Sequence, residues 1–196
     1  AVSLASSMIS FTYDMASLLA SSLSDSTICD LASSADIPEI RPSQSIDLLK
    51  ELHILTRDGK LNQDTRRKLK QVYHLYQFIE PLLENAETLV DHGAGKSYLG
   101  FILYDLYFKE RASGEIVGIE TRAELVDKSR ELAARLGFPR MRFMACTVED
   151  SLSSTDLPAT VDVVTALHAC NTATDDAIRF ALTRNARHIV LVPCCQ

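Results

Sequence analysis

Several things are missing from this sequence, and each absence removes a class of protein. There is no excess of positive charge: 20 Lys and Arg against 26 Asp and Glu leave a net charge of -6 at pH 7. A nucleic-acid contact would have to come from a local patch rather than an overall basic field. The 5 cysteines, an odd number, include no Cys-x-x-Cys pair. This argues against a disulfide framework or a finger-type metal site, and for a reducing compartment. The first 24 residues hold no Lys or Arg, which fits neither a secretory n-region nor a mitochondrial presequence. Asp14 and several Ser and Thr interrupt their apolar positions, well short of the roughly 20 residues a membrane span needs. No internal repeat is present. The expectation is a cytoplasmic protein without membrane contact, its oligomeric state open.

What is present is ordinary for a globular chain: 196 residues, 46% hydrophobic and 23% charged, enough for one α/β core and an accessory element. From Val2 to about Leu23, Leu4, Met8, Phe11, Met15, Leu18 and Leu19 recur at helical spacing. Pro38 and Pro42 mark a turn-rich connection over 24–43. Residues 45–86 again read as helical, broken at Asp58-Gly59, with Asn62 or Asp64 as cap of the second helix. Residues 1–86 are therefore expected to form an N-terminal helical segment, and 87–196 a separate α/β domain.

From residue 87 the pattern alternates. Strands are predicted over 87–91, 115–120, 141–148, 161–169 and 188–192, with helices over 96–108, 122–136 (stopped by Gly137) and 175–185. Continuous Val/Ile/Leu runs alternating with helices imply a doubly wound parallel sheet of Rossmann-like type. Such sheets bind ligands beyond the carboxyl ends of their strands.

The first of these strands runs into Asp91-His92-Gly93-Ala94-Gly95-Lys96-Ser97, and the second ends in Glu120. Glycines let a ligand approach the backbone, the following helix aims its amides at it, and a carboxylate at the second strand's end can accept the vicinal hydroxyls of a ribose. A phosphate-binding P-loop would need glycine at position 90, which is Val90. A dinucleotide fingerprint would need glycine at 98, which is Tyr98, and a pyrophosphate would meet Asp91 as a like charge. S-adenosylmethionine carries an amino group and a sulfonium and no phosphate, so Asp91 is expected to attract its cationic end. Asp91, Gly93, Ala94, Gly95, Glu120 and Thr121 are the cofactor-binding candidates from these two strand ends.

Asp91-x-Gly93-x-Gly95 with Glu120 resembles motifs I and II of class I S-adenosylmethionine-dependent methyltransferases. The run from Arg57 to Gln196 resembles a bacterial branch of the methyltransferase-domain family with Leu-His-Ala-Cys and Pro-Cys-Cys signatures. Here these are Leu167-His168-Ala169-Cys170, followed by Ala173-Thr174-Asp175, and Pro193-Cys194-Cys195. Similar elements occur in eukaryotic transfer-RNA ribose methyltransferases. The resemblance implies S-adenosylmethionine as cofactor and RNA as a substrate. It also implies a seven-stranded core, of which this chain holds five strands and is expected to be truncated after the fifth. Residue 171 is Asn where the branch more often has Asp.

Methyl transfer requires nucleophile and methyl in line, about 3 Å apart. The loop after the fourth α/β strand offers His168 as proton acceptor, Asn171 to hold an amino or hydroxyl group, and Cys170 as a substrate-facing thiol. A structural histidine and a turn asparagine are the bland alternatives. Cys170, Cys194 and Cys195 with His92 or His168 could form a thiolate metal site, but adjacent cysteines seldom face one ion, and no metal is assigned. Leu167, Thr147 and Val148 complete the cofactor candidates, the last two contacting adenine through their backbone. Glu149 and Asp150 either receive the adenine amino group or are solvated. Arg57, Lys60, Arg66, Arg67, Lys68 and Lys70, with Tyr73, His74 and Tyr76, are the candidate RNA surface. Of these, Arg66, Arg67, Lys68 and Tyr73 are the assigned contacts. The competing reading is a solvated basic helix face. Methylation of a small molecule or protein, and a non-catalytic S-adenosylmethionine-binding module, remain as alternatives.

Overall fold

The computed structural model describes residues 40–167 and 172–192, and the backbone of 8–10. These residues form six strands and six α-helices, alternating from the second strand on. In chain order they are β1 (Met8–Ser10), α1 (Ile46–Glu51), α2 (Gln63–Ile79), β2 (Thr88–His92), α3 (Tyr98–Leu103), β3 (Glu115–Glu120), α4 (Ala123–Leu136), β4 (Met141–Ala145), α5 (Val148–Ser153), β5 (Val163–Leu167), α6 (Thr172–Thr183) and β6 (His188–Val192). The sheet order is β1-β6-β5-β2-β3-β4, and every pair is parallel. The order reverses between β2 and β5, which makes that junction the topological switch point.

The strands are continuous apolar runs because both faces are covered. Leu89, Ile116, Phe143, Val163 and Val190 pack on one face with residues of α1–α4. Val90, Val117, Ile119 and Val164 pack on the other with Phe180 and Ala181 of α6. Leu89 and Val163 are wholly buried, each such side chain contributing about 1.5–3 kcal/mol.

Local signals set the helix ends. Asn62 accepts a hydrogen bond from the Thr65 amide (2.9 Å), and Thr65 Oγ1 accepts one from the Asn62 amide (2.7 Å), a reciprocal cap that starts α2. Gly137 ends α4 with φ 68°. Ser45 caps α1, and its own amide donates to buried Asp105 (3.0 Å) in the π-helical turn Tyr104–Phe108 that extends α3. Leu48, Tyr76, Ile79 and Leu83 enter the same cluster as Leu89 and Phe101, so α1 and α2 share the core of the sheet's first face.

Several boundaries differ from the sequence expectation: β2 is shifted by one residue, β5 is Val163–Leu167 rather than 161–169, and α6 is Thr172–Thr183 rather than 175–185. Two further differences have a clear cause. Met8–Ser10, inside the stretch read as helical, is a strand in parallel register with Ile189–Leu191 of β6. Pairing with an otherwise open sheet edge overrides the 3.6-residue spacing there. The other residues of the 2–23 reading lie outside the described set. β4 stops at Ala145 rather than 148, because Thr147 accepts a hydrogen bond from the Asp150 amide (3.2 Å) and starts α5.

Candidate functional site

Three strand ends meet at the switch point. Asp91, in the last turn-ward half of β2, faces the α3 side. Its Oδ1 accepts from Thr165 Oγ1 of β5 (2.9 Å) and its Oδ2 from Ser97 Oγ (3.2 Å). The Gly100 amide donates to the same carboxylate. Only 2% of Asp91 is exposed, and burial pushes its carboxyl up to about 6 against these three donors. Asp91 thus ties the turn to both α3 and β5 across the switch point, and its charge lies covered beneath the turn.

Above it, the chain turns through positive φ at Gly93 (68°), Gly95 (58°) and Ser97 (50°). Ser97 is held in this region, which disfavours side chains, by its hydroxyl bond to Asp91 and its amide bond to Ala94 O (2.7 Å). The Ala94 amide donates to Ile119 O (2.8 Å), stitching the turn to β3. Gly93 opens on empty space: a Cβ there would meet nothing within 4 Å. Gly100 has no such room, since a Cβ would lie 2.5 Å from Ser97 Oγ. The first turn of α3 must therefore present bare backbone to Asp91.

Glu120 closes the cleft from β3. Its Oε2 accepts from the Gly95 amide (2.8 Å) and Arg122 Nη2 (3.2 Å). Its Oε1 accepts from the Arg122 amide (3.1 Å), Arg122 Nε (3.0 Å) and Thr121 Oγ1 (3.2 Å). Burial pushes Glu120 up, but the Arg122 side chain and amide, the Gly95 amide and the Arg122 charge outweigh it and bring the carboxyl down to about 2. At the end of β4, the Cys146 amide donates to Glu120 O (3.2 Å), which sets Thr147 and Val148 beside the same edge. Glu149 pairs with Arg179 (2.9 Å) and Asp150 bonds Thr147 Oγ1 (2.8 Å), so both acids have protein partners.

The structure therefore brings together Asp91, Gly93, Ala94, Gly95, Glu120, Thr121, Thr147 and Val148, with Leu167 ending β5 beside them. His168, Cys170, Asn171, Cys194 and Cys195 lie outside the described residues. His92 points to the opposite face from Asp91. It is buried, stacked on Phe180 at 5.2 Å, and lowered in pKa chiefly by burial. Among the described residues no group of His, Cys, Asp and Glu is placed to hold a metal ion, and no helix is long and apolar enough to cross a membrane. The sequence reading missed Thr165, Ser97 and Arg122. Thr165 acts on Asp91 from 74 residues away, whereas Ser97, six residues past Asp91, and Arg122, two residues past Glu120, are local positions.

α2 leads through Glu80–Leu83 into β2. Its Leu69 and Tyr73 cluster with Tyr98 and Ile102 of α3. Arg66, Arg67, Lys70, His74 and Phe78 are exposed along its outer side, and Lys68 pairs with Asp64 (3.6 Å). Tyr73 does not join them. It falls on the buried stripe with Leu69, Val72 and Tyr76, 5% exposed, its hydroxyl donating to Gln44 and accepting from the Arg41 amide (3.1 Å). The exposed aromatic of this helix is Phe78, edge-on to His74 at 4.9 Å.

A parallel sheet with a glycine turn and an ionised acid on adjacent strand ends defines a nucleoside-binding α/β domain of Rossmann-like type. The methyltransferase domain family matches residues 67–196, more than half of the chain, and the chain belongs to that family. Its cofactor is S-adenosylmethionine, and the residues present fit it: open space over Gly93, a bare turn, and a carboxylate kept charged for hydroxyl groups. The chain is 24% identical over 140 residues to a bovine glutathione S-transferase C-terminal domain-containing protein, covering 71% of this chain and 20% of that one. It is 24% identical over 166 residues to a homolog from Drosophila pseudoobscura pseudoobscura, covering 84% and 26%. The chain thus spans about a quarter or less of the length of these curated relatives. Among solved structures, it is similar to a precorrin-6y C5,15-methyltransferase from Geobacter metallireducens (TM-score 0.46, 17% identity, covering 60% of this chain and 61% of that one). It is also similar to the S-adenosylmethionine-bound amino pentose methyltransferase CalS10 from Micromonospora echinaspora (TM-score 0.42, 20% identity, covering 63% and 50%). The family assignment rests on the match over residues 67–196.

Proposed function

We propose that this chain transfers a methyl group from S-adenosylmethionine to RNA at the carboxyl edge of its sheet. The observation that carries the cofactor half is the 2.8 Å hydrogen bond from the Gly95 amide to Glu120, which joins the glycine turn and the ribose-binding acid into one cradle. S-adenosylmethionine supplies an electrophilic sulfonium methyl when bound. Glu120, brought down to about 2, is ionised throughout the physiological range. The bare backbone over Gly93 admits the ligand, and Asp91 fixes the turn so that reacting atoms can be held in line.

His168, Cys170 and Asn171 follow Leu167 directly in sequence. They are assigned to the methyl acceptor: His168 takes its proton, Asn171 holds it by the side-chain amide, and Cys170 faces it. RNA is favoured by the exposed basic side of α2, whose buried side packs on α3, in a chain of net charge -6. The likeness of the Leu167–Cys170, Ala173–Asp175 and Pro193–Cys195 elements to those of transfer-RNA ribose methyltransferases points the same way.

The test is to offer S-adenosylmethionine carrying a labelled methyl group with separate RNA, protein and small-molecule fractions. Label is expected in RNA, reduced in an Arg67→Glu, Lys70→Glu variant, whose RNA retention should depend less steeply on salt by about one unit of log–log slope per lost phosphate contact. Label in the protein or small-molecule fraction would contradict the RNA assignment. Cofactor binding without transfer to any fraction would favour a non-catalytic module.

A further inference from the structure

The Glu120 carboxylate is already saturated by the protein. A carboxylate offers about four lone-pair positions, and five donors converge on it: the Gly95 amide, the Arg122 amide, Arg122 Nε, Arg122 Nη2 and Thr121 Oγ1. A ribose cannot place two hydroxyls there without removing donors. The two amides cannot leave, because one belongs to the glycine turn and the other to the start of α4. The Thr121 hydroxyl touches only Oε1. The guanidinium alone places one donor on each oxygen, Nε on Oε1 and Nη2 on Oε2, the pattern that a vicinal diol also makes.

Resting on the proposed cofactor reading, we propose that Arg122 gates the ribose edge of the site: the ligand's vicinal hydroxyls reach Glu120 only by displacing the guanidinium. Its position allows this exchange. The Arg122 side chain is 59% exposed, and its Nη2 lies 3.9 Å from where a Gly95 Cβ would be, in the space beside the turn. Both of its guanidinium hydrogen bonds go to Glu120, and the charge of Glu124, in the first turn of α4, also reaches it. Glu124 is thus a ready counter-ion for the displaced side chain. The gate makes cofactor binding an exchange of one set of donors for another, and it sets an affinity lower than the bare carboxylate would give.

The experiment titrates S-adenosylmethionine into the parent chain, Arg122→Ala, Glu120→Gln and the double variant by calorimetry. Arg122→Ala should bind about two- to fivefold more tightly than the parent, the range expected for freeing one exposed ion pair. Glu120→Gln should bind more weakly, and adding Arg122→Ala to it should give no tightening. Because the Arg122 side chain is exposed and caps nothing, the variant keeps its fold, checked by circular dichroism. A second readout is the Arg122 Nε–H resonance, protected in the free chain and exchanging faster once the ligand is added. Unchanged affinity in Arg122→Ala overturns the gate, and weaker affinity overturns it by making Arg122 a ligand contact. If the parent chain fails to bind S-adenosylmethionine at all, the proposed function falls and takes the gate with it.

Discussion

The ends of β2 and β3 each carry one carboxylate, and their surroundings drive the two in opposite directions. Asp91 and Glu120 are both largely covered, 2% and 7% exposed. What covers them differs. Asp91 is enclosed by the fold and receives two hydroxyls and one amide, too few to offset burial, and its carboxyl rises to about 6. Glu120 is bonded by the side chain of Arg122, itself mostly in solvent, and receives a cation and two amides, so its carboxyl falls to about 2. Burial alone does not fix an acid's charge; the number and sign of the donors inside that burial does. Asp91 shapes the turn, and Glu120 keeps an ionised carboxylate at the turn's edge.

The largest effect expected from this contrast is in the pH dependence of stability. Below about 4 Asp91 is protonated in both folded and unfolded chains. Between its ordinary value of 3.8 and about 6, the folded chain retains a proton that the unfolded chain has lost. Folding is therefore penalised as pH rises through this window, by about 3 kcal/mol in all. Denaturant titrations of the parent and Asp91→Asn should differ by a slope in that window, with the variant flatter. Parallel curves would break the comparison. Glu120, by contrast, contributes stability above its ordinary value of 4.5 that is lost only as pH falls toward about 2, a separate window.

Next in size, Gly100→Ala should cost about 2 kcal/mol, because the added methyl drives into Ser97 Oγ and disturbs its bond to Asp91. Denaturant unfolding reads this directly, and a neutral result would show that the turn can give way. Smaller still, Thr165→Val should cost about 1 kcal/mol and raise the Asp91 carboxyl further, since one donor to the buried charge is gone. A carboxyl-region NMR titration checks the direction of that shift.

How much of this could be read beforehand follows the range of each interaction. β3 and β6 match their predicted bounds, because each is a run of β-branched and apolar residues ending in a clear break. The Gly137 stop and the Asn62 cap were equally local. β4 was read too long, since the sequence alone did not show that Thr147 caps a following helix. The strand at Met8–Ser10 depends on a partner 181 positions later, Ile189 against Met8, which periodicity cannot supply. In the site, Gly93, Gly95, Asp91 and Glu120 announced themselves by spacing. That Asp91 lies beneath the turn rather than open to the ligand did not, because Thr165 reaches it from 74 residues away. The same limit applies to Tyr73, whose place on the buried stripe of α2 only the packing decides.

The central claim is that the carboxyl edge of β2 and β3 is a site for S-adenosylmethionine, and the most direct test is a calorimetric titration of this chain beside its Glu120→Ala variant, with ATP and NAD as competing ligands. The account predicts binding of S-adenosylmethionine alone, weakened about 10- to 100-fold when the carboxylate is removed. Binding of ATP or NAD in its place, or S-adenosylmethionine affinity unchanged without Glu120, would contradict it.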